Sequence, residues 1–475
     1  MHSEEWIQRI RANSCTVVGL GKSNLPLIDF LLSKGARVVA RDKKTREELG
    51  EVADRLEAKG VALITGERYL DRIDEKIIFR SPGLRPDLPA FAAACAQGAL
   101  MTSEMELFLE LCPATVIGIT GSDGKTTTTT VTGLLLEAAC LQKGKGRVWV
   151  GGNIGQPLLP MVEQMSADDF AVVELSSFQL QTMKRSAHYA AITNVTPNHL
   201  NWHTDFEEYT DAKTNIYRHR PCKTLVLNAE NDVTQALGKN NTLSVCWFSS
   251  ARNTLASFDG LLRPQDRAIY LANGYITLWN GIKEVPLLDR KEIILPGNHN
   301  LENYMTAIAL CSEWITTDII RTVASSFGGV RHRLERVRVL DGVTYYNSSI
   351  DSTPTRTAAA LSALAPIRPI VICGGYDKHI PFAPLAESLL EHAKAVVLTG
   401  ATADAIDAAL KAHKDTADTP LPIYKEADFG CAVELAHSLA ANGDTVLLSP
   451  ACASFDAFRD FEERGDRFCE IVNRL

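Results

Sequence analysis

The stretch Thr115-Val-Ile-Gly-Ile-Thr-Gly-Ser-Asp-Gly-Lys-Thr-Thr127 joins an apolar strand, a glycine-rich turn and the start of a helical segment. Glycines let the backbone turn inward, so that several amide groups point at one anion. The helix that follows adds the partial positive charge of its N-terminus. Lys125 is placed to reach the β- and γ-phosphates of a nucleotide such as ATP, and the Thr126 hydroxyl to ligate Mg²⁺. The sequence therefore predicts a phosphate-binding loop formed by Gly118, Thr120, Gly121, Ser122, Asp123, Gly124, Lys125, Thr126 and Thr127.

The spacing of this loop is G-x-x-G-x-x-G-K-T-T, and Ile119 stands where the strict P-loop pattern has glycine. A glycine-rich turn with a solvated lysine is the alternative. The order of strand, glycines, lysine and hydroxyl disfavours it. The five consecutive threonines from Thr126 to Thr130 are poor helix formers. We infer that the site, and not helix propensity, selects at least the first two.

On both sides of the loop, short apolar runs alternate with amphipathic helical segments in three successive series, which is typical of parallel α/β sheets. The predicted strands start at Thr16 and cover Arg37–Asp42, then Thr115–Thr120, Ala171–Glu174, Ala190–Thr193 and Thr224–Leu227, then Pro369–Cys373, Ala395–Leu398 and Thr445–Leu448. Residues 253–291 have weak alternation and several turn residues, which predicts a β-rich elaboration of the middle series. We predict an α/β fold with three domains, 1–112, 113–328 and 329–475, divided where breakers occur.

Composition excludes several classes of protein. The net charge of −8 argues against a nucleic-acid surface, which would show a basic stripe. No run approaches the ~18 apolar residues of a membrane span, and the polar segment Met1 to Arg11 lacks the apolar core of a signal peptide. The 11 cysteines have no metal-ligand spacing and predict buried, reduced thiols. We expect a cytoplasmic protein without nucleic-acid or membrane partners.

Further polar residues follow strands of the middle series. Glu174 ends an apolar strand, and ligands bind at that end in open α/β sheets. It is a candidate Mg²⁺ ligand, with a capping or surface carboxylate as the alternative. The loop from Asn194 to His203 carries two histidines, which alone indicate little. Taken by itself, Lys213 predicts an exposed lysine on a helix.

The first series opens with Gly19-Leu-Gly21, a lone G-x-G that leaves a dinucleotide-binding dehydrogenase open for this domain. The third glycine of the dinucleotide fingerprint is missing, because Asn24 and Pro26 occupy that region. Its absence makes the dehydrogenase interpretation weaker.

Five segments together resemble the Mur ligase family. They are GITGSDGKTT from Gly118, GGNIG from Gly151, ELSSFQL from Glu174, NVTPNH from Asn194 and HRLE from His332. Their order matches that family across all three domains. The closing run from Leu448 to Asp466, LSPACASFDAFRDFEERGD, looks like the members that add D-glutamate.

The resemblance implies an ATP-dependent amide ligase that adds D-glutamate to UDP-N-acetylmuramoyl-L-alanine (UDP-MurNAc-L-Ala) through an acyl phosphate, in cytoplasmic peptidoglycan precursor synthesis. It implies an N-terminal Rossmann-like domain for the UDP-sugar, a central P-loop NTPase-like parallel sheet for ATP, and a C-terminal Rossmann-like domain for the amino acid. We expect a monomer. Other amide ligases of the family and folylpolyglutamate synthase are close alternatives, and a regulator that only binds nucleotide is a distant one.

Matched motif by motif, the resemblance assigns roles to individual residues. The catalytic set is Lys125, Glu174, His199 and Lys213; the metal ligands are Thr126, Glu174, His199 and Lys213, the last as a carbamate. ATP would also meet Asn300, Asn303 and Arg333. The substrates would meet Leu20, Asp42, Gly83, Asn153 and Ser176 on the UDP-sugar side, and Ser352, Lys378, Ser454 and Phe461 on the D-glutamate side. The carbamate role reverses the expectation of an exposed lysine at position 213.

The chain departs from the family at two places. Ser348-Ser-Ile350 stands where many members have Asp-Ser-Lys, and Asn201 stands where aspartate is common. The first change removes an acidic and a basic contact near ATP, and Asp351 is a candidate substitute for the acidic one.

Overall fold

The computed structural model describes residues 2–413 and 421–475. It contains three sheets in chain order, each mostly parallel and flanked by helices, which confirms the α/β class with three domains. Two compact units are present, 1–292 with 299–325, and 293–298 with 326–475, so the first two sheets lie in one unit. Among the described residues no helix has the length and apolar character needed to cross a membrane.

The first sheet has five parallel strands in the order β3-β2-β1-β4-β5. They are β1 (Ser14–Val18), β2 (Arg37–Asp42), β3 (Ala62–Thr65), β4 (Ile77–Arg80) and β5 (Leu100–Thr102). Its helices are α1 (His2–Ala12), α2 (Asn24–Ser33), α3 (Arg46–Leu49), α4 (Glu51–Ala58), α5 (Pro89–Ala96) and α6 (Glu104–Leu111). The strand order reverses between β1 and β4, and such a switch point forms a crevice for ligands at the carboxyl ends.

The middle sheet has nine strands in the order β14-β13-β12-β11-β10-β9-β6-β8-β7. They are β6 (Thr115–Thr120), β7 (Val148–Gly152), β8 (Phe170–Glu174), β9 (Tyr189–Ile192), β10 (Thr224–Asn228), β11 (Ser244–Ser249), β12 (Arg267–Ala272), β13 (Tyr275–Trp279) and β14 (Glu284–Asp289). The helices are α7 (Lys125–Lys143), α8 (Ser177–Leu180), α9 (Phe206–Arg218), α10 (Asp232–Lys239), α11 (Asn298–Cys311) and α12 (Thr317–Ser326). Strands β12 to β14 pair antiparallel, which confirms the expected β-rich addition.

Among the described residues of the C-terminal part, the third sheet has six strands in the order β15-β16-β20-β17-β18-β19, of which β15 and β16 pair antiparallel and the others parallel. They are β15 (Glu335–Leu340), β16 (Val343–Asn347), β17 (Ile370–Cys373), β18 (Ala395–Leu398), β19 (Ile423–Lys425) and β20 (Thr445–Leu448). The helices are α13 (Pro354–Leu364), α14 (Ala383–His392), α15 (Ala403–His413), α16 (Phe429–Ser438) and α17 (Phe461–Arg474).

The central strands are buried along their whole length. Every residue of β9, β17, β18 and β20 is buried, because helices cover both faces of a parallel sheet. This is why these strands appear in the sequence as unbroken apolar runs. Cys15 and Cys373 are buried as expected, whereas Cys431 is exposed.

Candidate active site

The predicted phosphate-binding loop joins β6 to α7. Gly121 has φ 149° and Gly124 has φ 78°, values that L side chains rarely adopt. A Cβ at Gly121 would lie 1.9 Å from Thr193 Oγ1, and one at Gly124 would lie 2.4 Å from Asn303 Oδ1. Both positions therefore require glycine. Gly118 differs, because it lies inside β6 and is packed against Ala187.

The lysine and the first threonine of α7 are held by polar contacts around this loop. Lys125 Nζ donates to the carbonyl oxygens of Gly121 at 3.0 Å and Ser122 at 2.8 Å. Thr126 Oγ1 donates to Glu174 Oε2 at 2.8 Å, and the amide of Asn153 donates to Glu174 Oε1 at 3.0 Å. The structure thus brings together three predicted site residues, Thr126, Glu174 and Asn153, although they come from a helix, a strand and a loop that are far apart in the sequence.

Lys213 lies in the interior of the same site. It is 1% exposed, so the interpretation as a solvent-exposed lysine is wrong. Its ammonium donates to Gly121 O at 3.0 Å and lies 4.4 Å from the centre of the Tyr209 ring. Burial, and after it the positive charge of Lys125, holds the pKa of Lys213 well below its usual value. A buried lysine with a low pKa is a nucleophilic amine, as carbamate formation requires.

The loop after β9 forms a second wall of the site. The backbone carbonyl of Asn194 accepts from Ser122 N at 2.9 Å, and its side chain accepts from Asp123 N at 2.9 Å. His199, farther along, has φ 54° and lies 6.3 Å from the ring of Tyr209. Burial, with smaller effects from Lys125 and Lys213, lowers the pKa of His199 and favours its neutral form.

Ser176 caps the short helix after Glu174. Its hydroxyl accepts from Gln179 N at 3.3 Å, and the Gln179 side chain accepts from Ser176 N at 2.9 Å, which is a capping box. The box fixes Ser176 two residues from Glu174. Ser176, which was expected to contact the UDP-sugar substrate, therefore lies close to the predicted Mg²⁺ ligand Glu174.

The two asparagines expected near the nucleotide lie on α11. Asn303 is buried, and its Oδ1 accepts from Thr128 Oγ1 at 3.1 Å. Its amide donates to Asn300 Oδ1 at 3.3 Å. Asn303 thus packs on the turn at Gly124 and fixes the start of α7. Two of the five threonines, Thr126 and Thr128, make contacts that explain their presence on a helix.

Three of the residues expected on the UDP-sugar side, Leu20, Asp42 and Gly83, lie at the carboxyl end of the first sheet. Leu20 N donates to Asp42 Oδ2 at 2.6 Å. A Cβ at Gly19, whose φ is 87°, would lie 2.7 Å from Ser81 Cβ. Gly83 O accepts from Trp202 Nε1 at 3.1 Å, which joins this crevice to the loop that carries His199.

In the unit of the third sheet, Lys378 and Ser352 lie together. Lys378 Nζ donates to Ser352 Oγ at 3.1 Å. Ser454 is buried, and its carbonyl accepts from the backbone of Ala457 and Phe458. The backbone carbonyl of Phe461 accepts from Ser349 Oγ at 2.8 Å.

Two loop residues of this unit complete the set. Arg333 lies in a tight turn in which its N–H donates to Val330 O at 2.9 Å. Asp351, the candidate acidic substitute, is buried and accepts from Ser449 Oγ at 2.8 Å. Burial raises the pKa of Asp351 to about 6.

Sequence reasoning missed Arg464, which is 2% exposed. Its guanidinium donates to Ser349 O at 2.9 Å, to Ala453 O at 3.0 Å and to Cys452 O at 3.1 Å. It therefore fixes the two loops that carry Ser352 and Ser454. Nothing in the sequence distinguishes it from a solvated arginine beside acidic neighbours.

Sequence reasoning also missed Tyr209, whose hydroxyl lies 2.9 Å from Ser122 Oγ. Its signal is the four-residue spacing to Lys213, which places both on one face of α9. Among the described residues no group of three His, Cys, Asp or Glu could hold a metal ion. The predicted magnesium set has only Glu174 and His199 of those types, and depends otherwise on a hydroxyl and a modified lysine.

Sequence profiles of three known domains match most of the chain. They are the Mur ligase MurD-like N-terminal domain over residues 13–103, the Mur ligase middle domain over 119–311, and the Mur ligase glutamate ligase domain over 332–452. The chain is 47% identical to the UDP-N-acetylmuramoylalanine–D-glutamate ligase of Clostridium novyi over 98% of both chains. It is 44% identical to that of Clostridium perfringens over 99% of both.

Solved structures are similar in fold. The UDP-N-acetylmuramate-alanine ligase of Thermotoga maritima aligns over 97% of this chain and 99% of its own, with a TM-score of 0.54 and 18% identity. A UDP-N-acetylmuramoyl-L-alanyl-D-glutamate–2,6-diaminopimelate ligase aligns over 97% and 92%, with a TM-score of 0.55 and 16% identity. The domain profiles and the full-length relatives agree from the first sheet to the last, and the chain belongs to the Mur ligase family.

Proposed function

We propose that this protein is an ATP-dependent ligase that joins D-glutamate to UDP-MurNAc-L-Ala, releasing ADP and phosphate, as a step of peptidoglycan precursor synthesis. One observation carries the proposal. The loop of residues 121–126 places Lys125 and Thr126 at the N-terminus of α7, beside Glu174 and the buried Lys213. Relatives that align over nearly the whole chain are D-glutamate ligases by name.

The reaction follows from the chemistry of a carboxylate. The terminal carboxylate of UDP-MurNAc-L-Ala is a poor electrophile, so one of its oxygens attacks the γ-phosphorus of ATP and ADP leaves. The amine of D-glutamate then attacks the carbonyl carbon of the acyl phosphate, loses a proton, and phosphate leaves. Lys125 and the amides at the start of α7 stabilise the negative charge on the transferring group. Exclusion of water protects the acyl phosphate from hydrolysis.

Two cation positions fit the oxygen donors of the site. Thr126 and Glu174 offer a hydroxyl and a carboxylate, ligands suited to Mg²⁺. A carbamate on Lys213, with His199, would supply a second position. Mg²⁺ bound there neutralises phosphate charge.

The remaining roles are part of the same proposal. Leu20, Asp42, Gly83, Asn153 and Ser176 bind the UDP-sugar substrate, and Ser352, Lys378, Ser454 and Phe461 bind D-glutamate. Asn300, Asn303 and Arg333 contribute to the ATP site. Domain boundaries at 112/113 and 328/329, a monomeric state and a cytoplasmic location complete the proposal.

Release of phosphate tests the function directly. Purified protein is given ATP, magnesium and UDP-MurNAc-L-Ala, with and without D-glutamate. We expect phosphate release that depends on D-glutamate and does not occur with L-alanine, a diamino acid or a folate with L-glutamate. Phosphate release that instead requires L-alanine, a diamino acid, or a folate together with L-glutamate would identify another amide ligase of the family. Nucleotide binding without phosphate release under any condition would indicate a regulator.

A further inference from the structure

The segment Arg80 to Asp87, which we call the bridging segment, leaves the first sheet at the carboxyl end of β4 and contacts the middle sheet's loops. Arg80 is 1% exposed, and it donates to Phe178 O at 3.2 Å and Thr182 Oγ1 at 3.3 Å. The same guanidinium donates to Ser81 O at 3.2 Å, within the bridging segment. The Arg80 guanidinium thus also fixes the backbone conformation of the loop that carries Gly83.

Arg85 reaches a different part of the middle domain. Its two terminal nitrogens donate to the two carboxylate oxygens of Glu208 at 3.1 Å and 3.0 Å, a bidentate ion pair. Arg85 also donates to Trp202 O at 2.6 Å and lies 5.3 Å from the centre of that indole ring. The indole N–H of Trp202 donates back to Gly83 O at 3.1 Å. The His199 loop and the bridging segment are therefore joined at two points.

Glu208 is the centre of this network. Besides Arg85 it accepts from Gln181 Nε2 at 2.8 Å and Thr204 N at 2.7 Å. Hydrogen bonding to Arg85 lowers the pKa of Glu208 to about 2, so the carboxylate is charged throughout the neutral range. Glu208 lies on α9, the helix that also carries Lys213.

His203 continues the network to the loop after β8. Its side chain is buried, its Nδ1 lies 3.4 Å from Glu208 Oε2, and its Nε2 lies 2.9 Å from Ser177 Oγ. Ser177 is adjacent to Ser176 and three residues from Glu174. The backbone N–H of His203 donates to His199 O at 3.0 Å. His203 itself belongs to the loop that carries His199, so its imidazole joins that loop to the segment of Ser176 and Ser177 that follows β8.

We propose that Arg85, Glu208 and His203 form a positioning relay that sets Ser176 and His199 at a fixed distance from the UDP-binding crevice. None of the three is assigned contact with a reacting atom, so each acts through other residues. The relay holds the acyl end of UDP-MurNAc-L-Ala in line with the γ-phosphate once its uridine end is bound. This inference rests on the proposed function.

The energetics of the Arg85–Glu208 ion pair favour a role in positioning over a role in stabilising the fold. A partly buried ion pair gains little net stability against apolar packing, because desolvation of both charges offsets their attraction. A bidentate arginine–carboxylate pair instead fixes direction and distance. Displacement of a bound substrate by about 1 Å can reduce a rate by roughly 100-fold.

The test compares Arg85→Gln, Glu208→Gln and His203→Gln with Arg46→Gln, which removes two exposed ion pairs of the first domain. We expect kcat/KM for UDP-MurNAc-L-Ala to fall by roughly 10- to 100-fold in the three relay variants, while the Kd for ATP measured by calorimetry stays unchanged. Arg46→Gln is expected to match wild type. The double variant Arg85→Gln/Glu208→Gln is expected to lose no more than the stronger single variant, because residues in one network are not additive.

The relay is overturned if the losses of the two single variants multiply in the double variant, or if kcat/KM is unchanged. The relay is also overturned if the variants lose ATP affinity together with kcat/KM and both losses follow the decrease in Tm. That result would mean that the substitutions only destabilise the fold. A second readout does not require turnover. The fluorescence of Trp202 is obtained by subtracting the emission of a Trp202→Phe variant from that of the protein. We expect this fluorescence to change when UDP-MurNAc-L-Ala binds to the wild-type protein, and to change less when it binds to Arg85→Gln. Wild-type protein without D-glutamate-dependent phosphate release would contradict the proposed function and not the relay specifically.

Discussion

Among single residues, Lys213 has the clearest conflict between stability and function. Its amine is 1% exposed, and burying an amine that is charged in the unfolded chain is costly. Gly121 O, its acceptor, also accepts from Lys125, so removing Lys213 leaves that carbonyl with a donor. We expect Lys213→Met to raise the free energy of unfolding by about 1 kcal/mol, which is a Tm increase of roughly 1–2 °C for a unit of this size, and to abolish ligation.

Lys213→Ala distinguishes a carbamate from a structural lysine. Alanine leaves space in which formate or acetate can supply the missing carboxylate, whereas methionine fills it. We expect small carboxylates to restore part of the activity of Lys213→Ala and none of that of Lys213→Met. Equal behaviour of the two variants would contradict the carbamate role.

Glu104 provides a pH-dependent test of stability at the residue scale. It is 5% exposed at the start of α6, and burial raises its pKa from 4.5 to about 7. Between these values the folded protein holds a proton that the unfolded chain releases, so the free energy of unfolding decreases as pH rises through this window. Glutamine has no proton to lose. We expect Glu104→Gln to equal wild type near pH 4.5 and to exceed it by about 2–3 kcal/mol at pH 8.

Urea unfolding across pH measures this difference. Glu67→Gln, at an exposed position of the same domain, is the matched control and should leave the pH profile unchanged. A Glu104→Gln profile parallel to that of wild type would mean that the carboxyl is ionised in the folded protein at neutral pH.

At the scale of the element, α7 has a left-handed glycine near each end with different surroundings. At Gly121 a Cβ would meet Thr193 Oγ1 at 1.9 Å, whereas at Gly144 it would meet nothing within 4 Å. We expect Gly121→Ala to abolish ATP binding, because the loop must move to relieve the clash. Gly144→Ala, with φ 65°, should cost about 1 kcal/mol of stability and leave the Kd for ATP unchanged. Calorimetric titration with ATP measures the Kd of both variants. Wild-type affinity in Gly121→Ala would show that the loop does not bind phosphate.

Elements were predictable where local pattern decides them. Thr115–Thr120, Ala395–Leu398 and Thr445–Leu448 have the predicted bounds, because a strand buried on both faces is an almost unbroken apolar run between breakers. For β12 to β14 the sequence predicted β-rich structure but not the antiparallel pairing of the strands. Order of strands within a sheet depends on contacts far apart in sequence, which no local pattern contains.

Site residues followed the same division. Lys125 and Thr126 were predictable from their loop, because the chemistry is local. The burial of Lys213 was not, because its acceptor, Gly121 O, lies 92 residues away. Arg464 binds Ser349 across 115 residues and was missed for the same reason.

At the scale of the molecule, the predicted activation and acceptor steps use residues of different compact units. Lys378 and Ser352 lie in the unit of the third sheet, whereas Lys125, Glu174 and Lys213 lie in the other. We expect Lys378→Gln to raise KM for D-glutamate by roughly 10- to 100-fold, the loss of a charge-assisted contact of about 1.5–3 kcal/mol. Acyl phosphate formation from ATP and UDP-MurNAc-L-Ala should continue.

Hydroxylamine separates the two steps, because it captures an acyl phosphate as a hydroxamate without D-glutamate. Lys378→Gln should form hydroxamate at nearly the wild-type rate, as should Lys394→Gln, a control that removes an ion pair with Asp444 in the same unit. Lys125→Ala should form none. If Lys378→Gln loses hydroxamate formation along with ligation, then Lys378 takes part in activating the first substrate, and the division of the two steps between the two units is wrong.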